Sequence, residues 1–186
     1  YKLLIKAMRD DIKKGVKNIE FDELDKFGFR QLQAPIEALN MVYPSITLDE
    51  QFEKGIVSTK ITEPSDYDPR STMVGKRGMR TVMNYTDDST KKIPRKYLFS
   101  YKPEVQAKYG RIFSPEKIGE YSAKISSIIQ TIKKSKGIVL IYSQYIDGGV
   151  VPMALALEEL GLTRYGSSSN TTPLFETPPT EQIDSL

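Results

Sequence analysis

The chain contains no cysteine and no histidine. Without thiols it can hold neither a disulfide scaffold nor a thiolate metal site, and a reducing compartment is the natural expectation. Without imidazole it lacks the commonest general base and the commonest metal ligand. Ser-His-Asp, Cys-His and zinc-histidine constellations are therefore excluded. No apolar run reaches membrane-spanning length and no signal peptide is read, so no membrane partner is expected. The sequence opens on Tyr1 rather than Met, as expected of a piece of a longer polypeptide.

What is present is enough for one domain, or one domain plus an extension, in 186 residues. The net charge is only +3, but it is unevenly spread. Between Arg70 and Lys136 there are 16 Lys+Arg against 5 Asp+Glu, so the flanks are acidic. A basic middle suggests a surface for a polyanion. The plainer reading is a solvated, lysine-rich face.

The stretch from Tyr121 to Gly161 organises the rest. Apolar residues at Ile118, Tyr121, Ile125, Ile128, Ile129 and Ile132 have helical spacing and predict one stripe against a core. Ser114 and Pro115 suit the start of that helix, and Lys133, Lys134, Lys136 and Gly137 suit its end. The run Ile138 to Tyr142 is wholly apolar and reads as a buried parallel strand. A polar loop with Ser143, Gln144, Gly148 and Gly149 follows, then a helix with Pro152 in its first turn, closed by Gly161. Helix, buried strand, loop and helix make one repeat of a doubly wound α/β sheet. The loop then lies where such sheets bind ligands, and its glycines open on a helix N-terminus that favours phosphate. A simple connector with two glycines for turn geometry explains the same letters.

Elsewhere the signals are weaker. Residues 1–14 and 31–42 have helical spacing, with Pro35 in the first turn of the second. Tyr43-Pro44 ends that helix. Phe21 to Phe29 is ambiguous, and Ile46 to Phe52 reads as strand or turn. Residues 53–95 have poor periodicity beyond a turn or two near Met79 to Met83 and are expected to be an irregular linker. Lys96 to Tyr101 reads as a short strand, Leu162 to Gly166 could open another, and the Pro-rich tail reads as loop. The expected organisation is a helical segment over 1–52, a basic irregular insertion over 53–108, and the start of an α/β lobe over 109–186.

Tyr121-Ser122-Ala123-Lys124 heads a helix, Ile141-Tyr142-Ser143-Gln144 ends a strand, and a helix closes on Glu158-Glu159-Leu160-Gly161. That order resembles the start of the second RecA-like lobe of superfamily 2 helicases, in its chromatin-remodeller-like branch. The fuller phrase, with Gly148-Gly149, Pro152 and Arg164-Tyr165-Gly166, is similar to helicases of nucleocytoplasmic large DNA viruses, a group that includes the small subunit of the poxvirus early transcription factor. The likeness is dense over residues 109–166 and thinner over 31–45, where Leu39 to Ser45 resembles an inter-lobe segment.

The resemblance implies a partial RecA-like parallel sheet with flanking helices, preceded by a helical, partly irregular extension. It implies a parent enzyme that uses ATP and Mg²⁺ and moves along DNA or RNA. The Walker A loop and the acidic box that hold ATP, Mg²⁺ and water in such enzymes are not recognised here, nor is the arginine finger. This piece alone is expected to bind no cofactor. Carried over by motif, Ser143 and Gln144 would contact phosphate oxygens, Gly148 and Gly149 would let a backbone approach, and Ser122 and Lys124 would head the preceding helix. Arg95 and Lys96 belong to the basic middle and match no motif. Ser143 as a cap, Gln144 as a solvated amide and Lys124 as a surface lysine are the structural alternatives. Tyr109 and Tyr145 could stack on bases, whereas Tyr121 and Tyr142 read as core.

The expected partners are a nucleic-acid backbone, the first lobe of the same polypeptide and viral transcription machinery, inside the cell, in host cytoplasm or virion. One alternative is a non-enzymatic α/β interaction module for a polyanion or protein, with a complete sheet of its own. Another is a Rossmann-type transferase, weakened by the lack of a Gly-rich first turn with an acidic residue about 20 positions later.

Overall fold

The computed structural model describes residues 36–54, 73–85, 98–163 and 173–179. The two segments 1–14 and 21–29, together with Arg95, Lys96 and Arg164 to Gly166, lie outside the described residues. The architecture is mixed helix and strand, which is α/β in the general sense. Among the described residues the sheet is small, two antiparallel strands only.

Residues 36–40 form a helical turn, α1. It stops at Asn40, short of Tyr43, because Val42 and Tyr43 give their N–H groups to Tyr121 O at 3.0 Å and Met73 O at 2.8 Å. Helix α2, Ile46–Glu53, replaces the expected strand or turn. Ser45 supplies its cap, with Oγ accepting from Leu48 N at 3.3 Å.

Helix α3, Gly75–Val82, runs straight into strand β1, Met83–Tyr85. This corrects the expectation of an irregular linker here. Met73, Val74, Met79, Val82 and Met83 are all buried. Lys76, Arg77 and Arg80 mask that stripe in the letters, but they fall on the other side of the helix. Strand β2, Phe99–Tyr101, pairs with β1 in the register Met83↔Tyr101, Asn84↔Ser100, Tyr85↔Phe99. The pair alternates: Met83, Phe99 and Tyr101 turn inward, while Asn84 is exposed. The Pro-rich tail contributes a parallel bridge, Phe175 to Phe99. Phe99 N donates to Leu174 O at 2.7 Å and Glu176 N to Phe99 O at 2.8 Å.

Helix α4, Pro103–Tyr109, starts on its proline and ends at Gly110, whose φ of 73° suits glycine. Residues 111–117 are turns that bury Ile112 and Phe113 completely. The long helix expected from Ser114 is in fact two: α5, Ile118–Tyr121, and α6, Ala123–Ile132. Ser122 breaks them apart in extended conformation, φ −151° and ψ 99°. The stripe survives the break, since Ile118, Ile125, Ile129 and Ile132 are buried. Each such side chain contributes roughly 2 kcal/mol by leaving water. A π-helical turn, Ile146–Val150, leads into α7, Val151–Glu159, with Pro152 in its first turn as expected. Gly161, φ 102°, follows it.

The largest departure is at Ile138 to Tyr142, read as a buried strand. These residues are neither strand nor buried. Ile138 is 104% exposed, Leu140 91% and Tyr142 87%. Among the described residues their backbone makes no hydrogen bond. A strand exists only beside another strand, and β1 and β2 are satisfied by each other and by the tail. Tyr142 is therefore not core, whereas Tyr121 is half-buried against the core as expected.

Candidate functional site

The residues carried over by motif fall into two clusters, and α1 touches both. In the first, Ser143 and Gln144 stand beside the Gly148-Gly149 turn. Ser143 Oγ accepts from Tyr145 N at 3.2 Å and donates to Tyr145 O at 3.2 Å. This hydroxyl closes its own loop, a Ser turn of the kind that competes with regular structure. Gln144 is exposed, and its amide makes no hydrogen bond among the described residues. The space left by the missing side chains is taken from within. A Cβ on Gly149 would collide with Ser143 Oγ, and one on Gly148 would lie 3.0 Å from Glu37 Cγ. Glu37 also abuts Gly75 at the head of α3, where φ is +56°.

In the second cluster Ser122 is 4% exposed and fully engaged. Its Oγ accepts from Ile125 N at 2.9 Å, capping α6, and donates to Asn40 O. Lys124 Nζ reaches Asn40 Oδ1 at 2.6 Å from an exposed position. Ser122 thus positions α6 against α1 rather than meeting a ligand. Ser122→Ala should cost about 1.5 kcal/mol in urea denaturation, the loss of a cap plus a buried hydrogen bond. A cost below about 0.5 kcal/mol would show the cap to be idle.

Glu37 and Asn40, three residues apart on one helical turn, are the site residues the sequence did not single out. Asn40 lies inside the Leu39–Ser45 stretch, so the resemblance carried a signal for it. Nothing in the letters around Glu37 does. The π-turn glycines meet Glu37 and the α6 cap meets Asn40, so α1 fixes both loops.

Tyrosine hydroxyls report the burial around these loops. Burial pushes the Tyr43 hydroxyl well above its ordinary value, with Tyr85, Asp147 and Glu37 adding to it. Among the described residues the Tyr43 hydroxyl has no hydrogen-bond partner. Tyr121, next to Ser122, is pushed up to about 12, by burial first and then by Glu120 and Asp49. Tyr109 is raised by burial and by its hydrogen bond to Asp49, 2.6 Å from hydroxyl to Oδ2. Glu116 is lowered by its own backbone N–H and the Ser114 hydroxyl.

A separate buried network ties the tail to the core. Glu159 accepts from Tyr101 hydroxyl at 2.6 Å and from Arg111 Nε at 2.9 Å. Glu158 accepts from Leu174 N at 2.7 Å and Phe175 N at 2.9 Å. The paired glutamates of the Glu158-Glu159-Leu160-Gly161 phrase are therefore structural clamps.

The letters of an acidic D-E-x-x box do occur, at Asp22-Glu23-Leu24-Asp25 and at Asp49-Glu50-Gln51-Phe52. The first lies outside the described residues. In the second, Asp49 is on α2, bound to Tyr109 and ion-paired to Lys108 at 3.4 Å. No cluster of three metal-ligating side chains occurs among the described residues. Nor, among them, is any helix long and apolar enough to cross a membrane. No family model, curated protein or solved structure matches this chain.

Proposed function

We propose that this chain is a segment of a nucleic-acid-dependent ATPase of the superfamily 2 helicase kind, the front of its second RecA-like lobe with the preceding inter-lobe helices. The observation that carries the reading is the joining of its two separated phrases. Leu39 to Ser45 and Tyr121 to Lys124 are some eighty residues apart, yet Val42 bonds Tyr121, and both Ser122 and Lys124 bond Asn40. Segments that resemble consecutive parts of one machine behave here as one unit.

In this reading Ile138 to Tyr142 becomes a parallel strand when further strands lie beside it, and the first lobe of the same polypeptide closes the ATP cleft. The setting would be intracellular, in host cytoplasm or virion, serving viral transcription. The side chains described here do not fit ATP and Mg²⁺ on their own: there is no Walker A loop, and the one described Asp-Glu pair is engaged in packing. No step of hydrolysis is derived from them. What this segment offers is the free Gln144 amide, with Ser143 shaping the turn that presents it. An interaction module with a complete sheet accounts less well for a five-residue apolar run that pairs with nothing among the described residues.

The test is fluorescence anisotropy of a labelled single-stranded oligonucleotide against the chain, titrated over salt. The expected result is affinity that falls steeply with salt and drops severalfold in Gln144→Ala. Binding indifferent to salt, or untouched by that substitution, would remove this loop from the nucleic-acid path.

A further inference from the structure

We propose that the open cleft beside the β1–β2 hairpin is a second, separate contact for single-stranded nucleic acid, holding a backbone phosphate between Arg80 and Lys102. The cleft has a volume of about 580 Å³ and is lined by Arg80, Asn84, Tyr85, Ser100, Lys102 and Glu176 among others. None of these residues matches a motif in the sequence, and all lie away from the Ser143–Gly149 loop in the chain.

Three features point to an anionic polymer. First, the polar groups are uncommitted. Among the described residues Arg80 and Lys102 have no carboxylate partner, and the side chains of Asn84 and Ser100 make no hydrogen bond. Elsewhere the half-buried cations are used: Arg111 holds Glu159 and Lys108 holds Asp49. Second, these groups stand on rigid elements. Arg80 is in the last turn of α3, and its guanidinium lies 5.7 Å from the centre of the Tyr85 ring. Asn84 and Ser100 are register partners. Lys102 follows β2 directly, its backbone N–H bonded to Val82 O at 3.0 Å. Third, the cleft is open along one side, and the size suits about one nucleotide. A free nucleotide would be held mostly exposed there, whereas a strand can pass through and gain from its neighbours. Arg80, with one face on Tyr85, offers the other to a base, and Asn84 and Ser100 offer neutral bonds to sugar or phosphate. Among the described residues Glu176 is the one carboxylate lining the cleft, and it limits how much anion the cleft accepts.

The inference stands on this cleft and does not depend on Gln144. The experiment compares Arg80→Gln/Lys102→Gln with Lys133→Gln/Lys134→Gln, an equal change of charge at the end of α6, using a labelled oligothymidylate. Both pairs are surface residues, and Asn84→Asp provides a third route into the cleft should the first pair melt early. The expected result is roughly tenfold weaker binding for the cleft pair. Its salt slope should be shallower by about 1.4, from two lost contacts at about 0.7 each. The α6 pair should stay near wild type, and Asn84→Asp should weaken binding as well. Equal losses in both pairs would reduce the effect to general charge and overturn the proposal. So would an oligonucleotide that does not bind, or polyglutamate that competes as well as the oligonucleotide. Loss in the cleft pair with Gln144→Ala unaffected supports the cleft and counts against the loop; the reverse overturns the cleft and leaves the loop.

Discussion

Glu159→Ala is expected to lower stability by about 3 kcal/mol, the largest single loss predicted for a polar side chain in this protein. The Glu159 side chain is 2% exposed, and its carboxylate is the hub that accepts from both Arg111 and Tyr101. Arg111 Nε lies 2.9 Å from each oxygen, and the Tyr101 hydroxyl donates at 2.6 Å. Arg111 also lies against the stacked pair of Tyr101 and Phe175, 5.2 Å from each ring centre, the rings being 5.5 Å apart. Truncation leaves the buried Tyr101 phenol and the Arg111 Nε without their acceptor, while Arg111 Nη2 keeps Thr177 O at 3.4 Å. The Arg111 side chain is 28% exposed, so water recovers part of the loss and the upper end of the range for buried pairs does not apply. Burial, and then Glu159 itself, pushes the Tyr101 hydroxyl far above its usual range, so the phenol remains a donor throughout the neutral range. Glu159→Gln keeps one acceptor and should lose less than half as much. Urea denaturation of the two variants, with Arg111→Met in a double-mutant cycle, separates the pair from the hydroxyl. If alanine and glutamine cost the same, or alanine costs under about 1 kcal/mol, the hub is not holding the tail.

That hub also shows where reading letters stops. Glu158 and Glu159 lie on a helix whose limits were legible, because Pro152 and Gly161 punctuate it and both signals are local. The side chains they bind, Tyr101, Arg111 and the tail amides, are 16 to 58 residues away, at separations no local pattern reports. The α6 stripe was legible for the same reason as α7. Its break at Ser122 was not, because that depends on Asn40 O accepting the serine hydroxyl. Residues 73–85 do not read as a helix because Lys76, Arg77, Arg80 and two glycines interrupt the apolar letters, and the buried face shows only when α3 is folded.

The run Ile138 to Tyr142 makes the opposite error. Its composition correctly marks a segment that water disfavours, but composition names no partner, and a strand is a property of a pair. Of the candidate site, the loop geometry was visible in the two glycines and the serine. The side chains that fill it, above all Glu37, were not.

Gly78→Ala puts two effects against each other, and sterics should win by about 2 kcal/mol. In a helix interior, glycine to alanine normally stabilises by about 1 kcal/mol through backbone entropy. Gly78 sits in α3, so propensity alone predicts a gain. The new Cβ, however, would lie 2.6 Å from Tyr43 Cδ2, and 2.7 Å from the carbonyl carbon of Met73. Neither can step aside cheaply. Tyr43 is 1% exposed and packs edge-on against Phe113 at 6.3 Å. The Met73 carbonyl accepts Tyr43 N at 2.8 Å, so moving it breaks the link between α1 and α3. Overpacking of this kind costs about 1–3 kcal/mol, and backbone on one side of the clash places it at the upper end. Gly119 is the matched control, helical in α5, where a Cβ would meet nothing nearer than Ser126 Oγ at 3.5 Å. Gly119→Ala should therefore raise the urea midpoint while Gly78→Ala lowers it. A rise in both would mean that propensity governs α3 and that the contact between Tyr43 and Gly78 is not what locks this helix to the Leu39–Ser45 segment.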